Sequence, residues 1–290
     1  MRKIILFLIP LFLFFAMCQK NSKKVETALV IPLDTIPMQY SSHYPNLRLP
    51  ILDGIVNDSL HYKVFFDTGI DVSNFSISDS LKNLFDSDSA FVQIGKFKKK
   101  MGIYYWGSNQ RNFFDLFGKN TILVGWQFFE NKIIEFDFQN QRILVYDELP
   151  SVTEYSRTKI TPSRNTSGNF ALLIPAQVVI QGKIIKDTFK IDTGCNNFMV
   201  LSRKHIEEQG IDTTNAYYKK STVAGGLRPA FTILADTIKI GDLYVANQNM
   251  RITFTDDHKG RGLLGTPTMD NFSIILDLIN YDLYLKKIEN

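Results

Sequence analysis

The sequence has few cysteines and histidines and no long charged run, and each shortage excludes a class of protein. Cys18 and Cys195 are the only cysteines in 290 residues, which excludes a disulfide-rich scaffold. The acids and bases are mixed, with a formal net charge of +4 and no basic stripe with interleaved aromatics, so no nucleic acid partner is expected. We predict no metal site because the histidines are scattered without metal-ligand spacing, at His43, His61, His205 and His258.

The N-terminus reads as an export signal. Arg2 and Lys3 precede an apolar run over residues 4–17, which is shorter than the roughly 20 residues of a membrane span. The run ends at Cys18 and resembles a bacterial lipoprotein signal with Cys18 as the lipidated residue. Met17 departs from the small residue that usually precedes such a cysteine, so plain secretion and an uncleaved anchor stay open.

These features predict a chain exported to the cell envelope. We expect residues 1–18 to be a signal peptide and residues 19–40 a tether. The protein is expected to be lipid-anchored in a bacterial membrane and to face the periplasm, or else to be secreted. The whole chain is 44% apolar, is rich in Phe and Tyr, and alternates apolar with polar residues, which favours an all-β fold.

An internal repeat organises the chain. Val64-Phe65-Phe66-Asp67-Thr68-Gly69 is echoed by Phe189-Lys190-Ile191-Asp192-Thr193-Gly194. Pro50 and Pro175 precede the two motifs in the same register, since the prolines and the aspartates are each separated by 125 residues. Downstream, residues 122–125 and 131–145 are echoed by residues 262–265 and 271–285, and each copy is predicted to end in a β-hairpin. We therefore expect two related lobes over residues 41–150 and 169–290, joined by a linker over residues 151–168.

The second copy is longer than the first. From Gly69 to Gly95 the first copy spans 26 residues, whereas from Gly194 to Gly241 the second spans 47. The additional residues fall around 217–236 and are long enough for one more hairpin, with Gly225 and Gly226 at its tip. Short helices are predicted after each motif strand, at residues 78–85 and 202–209, each beginning at a serine.

The two Asp-Thr-Gly strands, each followed by an apolar-apolar-Gly segment, resemble the aspartic protease family, in particular the retropepsin-like proteases of bacteria. The resemblance covers nearly the whole mature chain and implies an internally duplicated, two-lobed all-β fold. It implies that Asp67 and Asp192 form a catalytic dyad that activates a water molecule, because two close carboxyls share one proton. It assigns supporting roles to the threonines and glycines of the motifs and to the glycines behind them, at Thr68, Gly69, Thr193, Gly194, Gly125 and Gly265.

The resemblance leaves two questions of function open. The extra hairpin is either a flap that covers the cleft from the C-terminal lobe or a plain surface loop. Family members usually carry Ser or Ala after the motif, but this chain carries Ile70 and Cys195. The chain is therefore expected to be either an aspartic endopeptidase, acting on peptides or proteins as a monomer without a cofactor, or an inactive relative that binds an extended peptide or protein partner.

Overall fold

The computed structural model describes residues 29–40, 49–70, 74–106, 117–118, 120–164, 170–223, 226–255 and 262–288. The predicted signal peptide, its lipidation site Cys18 and the glycine Gly225 lie outside these residues, so what the sequence indicates about them stays a prediction. Within the described residues, no helix has the length and the apolar character needed to cross a membrane.

The all-β prediction is confirmed, because strands make up most of the described chain. The strands of the N-terminal half are β1 (Asp34–Pro37), β2 (Ile51–Val56), β3 (Leu60–Asp67), β4 (Asn74–Ser78), β5 (Ser89–Ile94), β6 (Phe97–Trp106), β7 (Thr121–Gly125), β8 (Ile133–Asp137) and β9 (Arg142–Tyr146). Those of the C-terminal half are β10 (Ser156–Lys159), β11 (Thr161–Arg164), β12 (Phe170–Ile180), β13 (Lys183–Asp192), β14 (Met199–Ser202), β15 (Tyr217–Val223), β16 (Gly226–Leu234), β17 (Thr237–Ile240), β18 (Leu243–Val245), β19 (Arg251–Thr255), β20 (Leu263–Gly265), β21 (Phe272–Asp277) and β22 (Asp282–Lys287).

Short helices interrupt the strands, and two of them follow the motif strands as the sequence predicts. The first is a 3-10 helix at Asp79–Leu84, and the second is helix α1 at Arg203–Glu208. The hydroxyl of Ser202 accepts the backbone N–H of His205 at 3.1 Å and so caps α1. A further 3-10 helix at Trp126–Phe129 and helix α2 at Thr266–Met269 follow β7 and β20.

The N-terminal lobe is a closed barrel with strand order β2-β3-β7-β4-β6-β5. Successive side chains of β3 point to opposite faces of the sheet. Val64 and Phe66 therefore enter the main core, while Phe65 faces the other side. There Phe65 packs in a small separate cluster with Ile51 and Leu123. β3 is therefore buried on both faces where it reaches Asp67, which holds the end of the strand in place.

The C-terminal lobe is an open sheet with strand order β15-β16-β19-β14-β20-β13-β12-β17-β18, and β11 adds to β12. It contains the same central arrangement as the first lobe. In both lobes the motif strand forms an antiparallel hairpin with the strand before it and a parallel pair with the strand that ends in the later glycine. The hairpin β15–β16 extends the C-terminal sheet at one edge and has no counterpart among the described strands of the N-terminal barrel.

A six-stranded sheet of order β1-β9-β8-β21-β22-β10 joins the two lobes. Its centre is the pairing of β8 with β21, which brings together the final hairpin of each repeat. The turns of the two hairpins use the same chemistry. The carboxylate of Asp137 accepts the backbone N–H of Asn140 at 3.1 Å, and that of Asp277 accepts the N–H of Asn280 at 2.8 Å.

Two segments that the sequence presents as connections contain strands. The predicted tether over residues 19–40 is wrong for its last part, because β1 pairs with β9 and buries Ile36 beside the core. The predicted linker over residues 151–168 also contains β10 and β11, which pair with β22 and β12. Both segments form hydrogen bonds with strand edges whose backbone groups would otherwise be unpaired. This pairing explains why the two segments form strands.

Candidate active site

Asp67 and Asp192 are the last residues of equivalent strands. Asp67 ends β3 opposite Gly125 of β7, and Asp192 ends β13 opposite Gly265 of β20, each in a parallel pair. The two strands deliver their carboxyl ends to the junction of the lobes because the repeat gives both lobes the same topology.

The two motif loops lie against each other at this junction. A Cβ atom placed on Gly69 would be only 2.5 and 2.6 Å from the carboxyl oxygens of Asp192, and one placed on Gly194 would be 2.6 Å from the carboxyl carbon of Asp67. Each carboxyl therefore rests directly against the glycine of the opposite motif. The absence of a side chain at both glycines is what lets the two carboxyls approach.

Hydrogen bonds between the threonines of the motifs join the loops. The backbone N–H of Thr68 donates to the hydroxyl of Thr193 at 2.9 Å, and the N–H of Thr193 donates to the hydroxyl of Thr68 at 3.0 Å. Each hydroxyl donates onward to a carbonyl of the opposite strand, at Ile191 and Phe66. Both threonines are buried, so these bonds have no competition from solvent and fix the loops relative to each other.

The electrostatics around Asp67 favour a shared proton. Burial, followed by the neighbouring charge of Asp192, raises the pKa of Asp67 well above its ordinary value. The backbone N–H groups of Gly69 and Gly194 donate to one oxygen of Asp67 at 2.7 and 3.2 Å, and the bond from Gly69 opposes part of the rise in pKa. Two carboxyls that interact this strongly titrate as a pair, and the pair readily retains one proton.

Gly125 and Gly265, the last residues of β7 and β20, support the loops from behind. A Cβ atom on Gly125 would lie 2.8 Å from the carbonyl oxygen of Ile70, and one on Gly265 would lie 2.5 Å from the carbonyl oxygen of Cys195. Neither approach leaves room for a side chain. Thr266 adds a hydrogen bond from its hydroxyl to the carbonyl of Thr193 at 2.9 Å.

Ile70 and Cys195, the residues after the motifs, differ in their surroundings, since Ile70 packs against apolar residues and the thiol of Cys195 contacts Asn197. Ile70 packs against the small cluster that contains Phe65 and Leu123, so its side chain occupies space within the N-terminal lobe. Cys195 is buried, and burial raises the pKa of its thiol to about 12. Neither residue brings a hydroxyl to the carboxyls.

Lys190 is a residue of the site that the sequence analysis did not select. Its ammonium group donates to the carbonyl oxygen of Gly69 at 2.7 Å, across the junction of the lobes. The corresponding position of the first repeat holds Phe65. A charge between the apolar residues Phe189 and Ile191, at a position where the other repeat has an aromatic ring, was the signal that could have identified it.

The additional hairpin of the second lobe forms as β15 and β16, and Gly226 is the first residue of β16. It is connected to the loop after Asp192. The ammonium group of Lys219 donates to the side-chain oxygen of Asn197 at 2.7 Å, and the hydroxyl of Thr253 donates to the same oxygen at 2.7 Å. Burial lowers the pKa of Lys219. The base of the candidate flap thus contacts a residue close to the dyad.

No metal cluster accompanies the carboxyls within the described ranges, since no group of three or more His, Cys, Asp or Glu side chains converges there. A cavity of about 290 Å³ lies elsewhere, beside β1, β2 and β5, and is lined by Asp53 and His61 among others. His61 is near the start of β3 and Asp67 is at its end, so this cavity is at the opposite end of the strand from the dyad.

The comparisons with known proteins agree with this geometry. The family model described as aspartyl protease matches residues 176–268, which include Asp192 and Gly265. Among solved structures, the aspartic proteinase from Irpex lacteus superposes with a TM-score of 0.51 and 12% sequence identity, over 88% of this chain and 97% of the proteinase. No curated protein sequence matches the chain. Residues 176–268 thus match the aspartyl protease family, and the two lobes together have the fold of an aspartic proteinase.

Proposed function

We propose that the protein is an exported aspartic endopeptidase that hydrolyses peptide bonds with water activated by Asp67 and Asp192. The observation that carries the proposal is the contact of each carboxyl with the glycine of the opposite motif, in loops joined by the paired threonines. A cleft that only binds peptides gains nothing from two buried carboxyls, because burying two like charges close together costs free energy.

The chemistry follows from one proton shared by two carboxyls. The ionised carboxyl accepts a proton from water while the water oxygen forms a bond to the peptide carbonyl carbon, and the protonated carboxyl donates to the carbonyl oxygen. Collapse of the tetrahedral intermediate breaks the carbon–nitrogen bond, and the leaving nitrogen receives a proton from the dyad. No cofactor takes part in these steps. The substrate class is a peptide or an unfolded protein segment that can lie extended between the lobes.

The proposal is tested by cleavage of an unfolded protein mixture over a pH range of about 3 to 7, the range in which a shared-proton pair can operate. The parent is compared with Asp67→Asn and Asp192→Asn, and circular dichroism verifies that all three are folded. The proposal expects cleavage by the parent and none by either variant. Cleavage that persists in both folded variants would refute it.

The second candidate function is that of an inactive relative that binds an extended peptide or protein partner. Ile70 and Cys195 favour it, because neither residue supplies the hydroxyl that family members often place beside the carboxyls. The same cleavage experiment separates the two. A folded parent that cleaves nothing at any pH, with and without residues 19–40, would favour the binding function, and the bound peptide would then be sought by mass spectrometry.

The proposed location rests on the sequence around Cys18. We propose that Cys18 is lipidated after removal of the preceding residues and anchors the protein to a bacterial membrane facing the periplasm, with secretion as the alternative. Metabolic labelling with a radioactive fatty acid tests this directly. Label is expected in the parent chain and is expected to be absent from Cys18→Ser, whereas label in neither chain would favour secretion.

A further inference from the structure

Lys190 is the one ammonium group of the described residues that bonds directly to a motif loop. It lies on β13, two residues before Asp192, and pairs with Leu173 and Leu263 of the neighbouring strands. Its amino group crosses to the opposite lobe and donates to the carbonyl of Gly69, two residues after Asp67. A single side chain thus connects the strand of one aspartate to the loop of the other.

The dyad is surrounded by few other charges. β7 and β20, which flank the motif strands, carry no charged residue. Among the described residues, the titratable groups near the carboxyls are Lys190, the thiol of Cys195, and Lys219, whose ammonium group is held by Asn197. Cys195 stays neutral because its thiol pKa is about 12. The positive charge that acts on Asp67 is therefore that of Lys190.

We propose that Lys190 is a positioning residue that fixes the loop of Asp67 and sets the pH range over which the dyad holds a single proton. A fixed cation beside two carboxyls stabilises their singly and doubly ionised forms relative to the neutral form. It therefore lowers both apparent pKa values of the pair. Consistent with this, the charge of Lys190 opposes the rise in the pKa of Asp67 that burial and Asp192 produce.

The other repeat shows that the fold does not need a lysine here. Phe65 holds the equivalent position of β3, where it packs with Ile51 and Leu123. The ammonium group makes the site asymmetric, because the loop of Asp67 receives a bond from Lys190 of the opposite motif strand, whereas Phe65 at the equivalent position has no charge to offer the loop of Asp192. This inference deepens the proposed function, on which it rests for its role in catalysis.

The test is a titration of the two carboxyls by NMR in the full chain labelled with ¹³C at the aspartate carboxyl carbon, with Asp67→Asn and Asp192→Asn for assignment. Lys190→Gln keeps a donor for the carbonyl of Gly69 but removes the charge, and Lys190→Arg keeps the charge. Lys186→Gln is the matched control, because Lys186 is exposed on the same strand. The titration requires no substrate, so it gives an answer whether or not the protein cleaves peptides.

We expect Lys190→Gln to raise both apparent pKa values of the pair by about 0.5 to 1 unit, and Lys190→Arg and Lys186→Gln to change them by less than about 0.2 unit. If the protein is a protease, both limbs of its pH–rate profile move upward with Lys190→Gln by the same amount. Unchanged carboxyl titration in folded Lys190→Gln would overturn the inference. A failure of both Lys190→Gln and Lys190→Met to fold, while Lys190→Arg folds, would also overturn it by showing a structural role.

Discussion

Thr68 and Thr193 exchange hydrogen bonds across the two lobes, and each hydroxyl accepts the backbone N–H of the other residue. The exchange spans 125 residues of sequence and is completed by bonds from the two hydroxyls to Ile191 and Phe66. This pair is what converts two repeats of one chain into a single site.

The threonine exchange predicts a specific loss of stability. Thr68→Val or Thr193→Val keeps the shape of the side chain but leaves a buried N–H without its acceptor, which costs about 1 to 3 kcal/mol of the free energy of unfolding. Urea denaturation measures the loss. The double variant is expected to lose less than the sum of the single variants, because both changes disrupt one network. Thr35→Val, at an exposed position of β1, is the control and is expected to change stability by less than about 0.5 kcal/mol. Additive losses would contradict the shared network.

The raised pKa of Asp67 predicts how stability changes with pH. Between its unfolded and folded pKa values the folded protein binds more protons than the unfolded chain. The resulting stabilisation is complete below the unfolded pKa of about 3.9 and is lost as the pH rises through the folded value. The asparagine side chain of the variant Asp67→Asn does not ionise. The melting temperature of the variant minus that of the parent is therefore expected to increase as the pH rises from about 4 to 7. A difference in melting temperature that is constant over this range would show that the pKa is not raised.

The contact between Lys219 and Asn197 predicts that the hairpin β15–β16 is restrained at its base. Lys219→Met removes the bond, and the backbone amides of residues 217–220 are then expected to exchange with deuterium several-fold faster. Lys220→Met is the matched control, because Lys220 is the exposed neighbour on the same strand. Equal exchange in both variants would mean that the contact does not restrain the candidate flap. A fall in cleavage rate with Lys219→Met alone would support the role of the hairpin as a flap.

The burial of Cys195 predicts an unreactive thiol. With a pKa of about 12, only about one thiol in ten thousand is ionised at pH 8, and the thiolate is the reactive form. In the Cys18→Ser chain, which has a single thiol, iodoacetamide is expected to label Cys195 only after denaturation. Rapid labelling of the folded chain at pH 8 would contradict the buried position, and mass spectrometry measures the extent of labelling in both states.

The fold and the centre of the site follow from the repeat in the sequence. The common spacing of Pro50 to Asp67 and of Pro175 to Asp192 indicates two copies of one unit, and the structure gives both copies the same strand pairing. The final hairpins could be predicted from the sequence, because Asp137 and Asn140 of the first turn recur as Asp277 and Asn280 in the second. These features are local in sequence, so pattern alone identifies them.

The segments at the lobe boundaries were not readable in the same way. Ile36 of β1 and Met38 just after it are buried, but the prolines beside them suggested an extended tether, since proline lacks the N–H that strand pairing uses. β10 is polar on its exposed face, and only Thr158 of the strand is buried. Both strands exist because a partner strand far away in sequence has a free edge. A pattern within the segment cannot show such a partner.

Lys190 was missed for a similar reason. Its partner, the carbonyl of Gly69, is a backbone group 121 residues away and carries no sequence signal. The unequal residues at this position, Phe65 in one repeat and Lys190 in the other, are visible when the repeats are aligned in sequence, but the alignment does not show which group the lysine contacts. The contact of Lys219 with Asn197 is hidden in the same way, because it depends on how the hairpin folds back.

The central claim is that Asp67 and Asp192 act as one unit, and the most direct measurement is kcat/KM for Asp67→Asn, Asp192→Asn and the double variant on one peptide identified as a substrate of the parent. If the pair acts as a unit, each single change removes as much activity as both together, and the three variants show the same residual rate. If either folded single variant retains more than about a tenth of the parent rate, or if the losses multiply in the double variant, the account of a shared-proton dyad is contradicted.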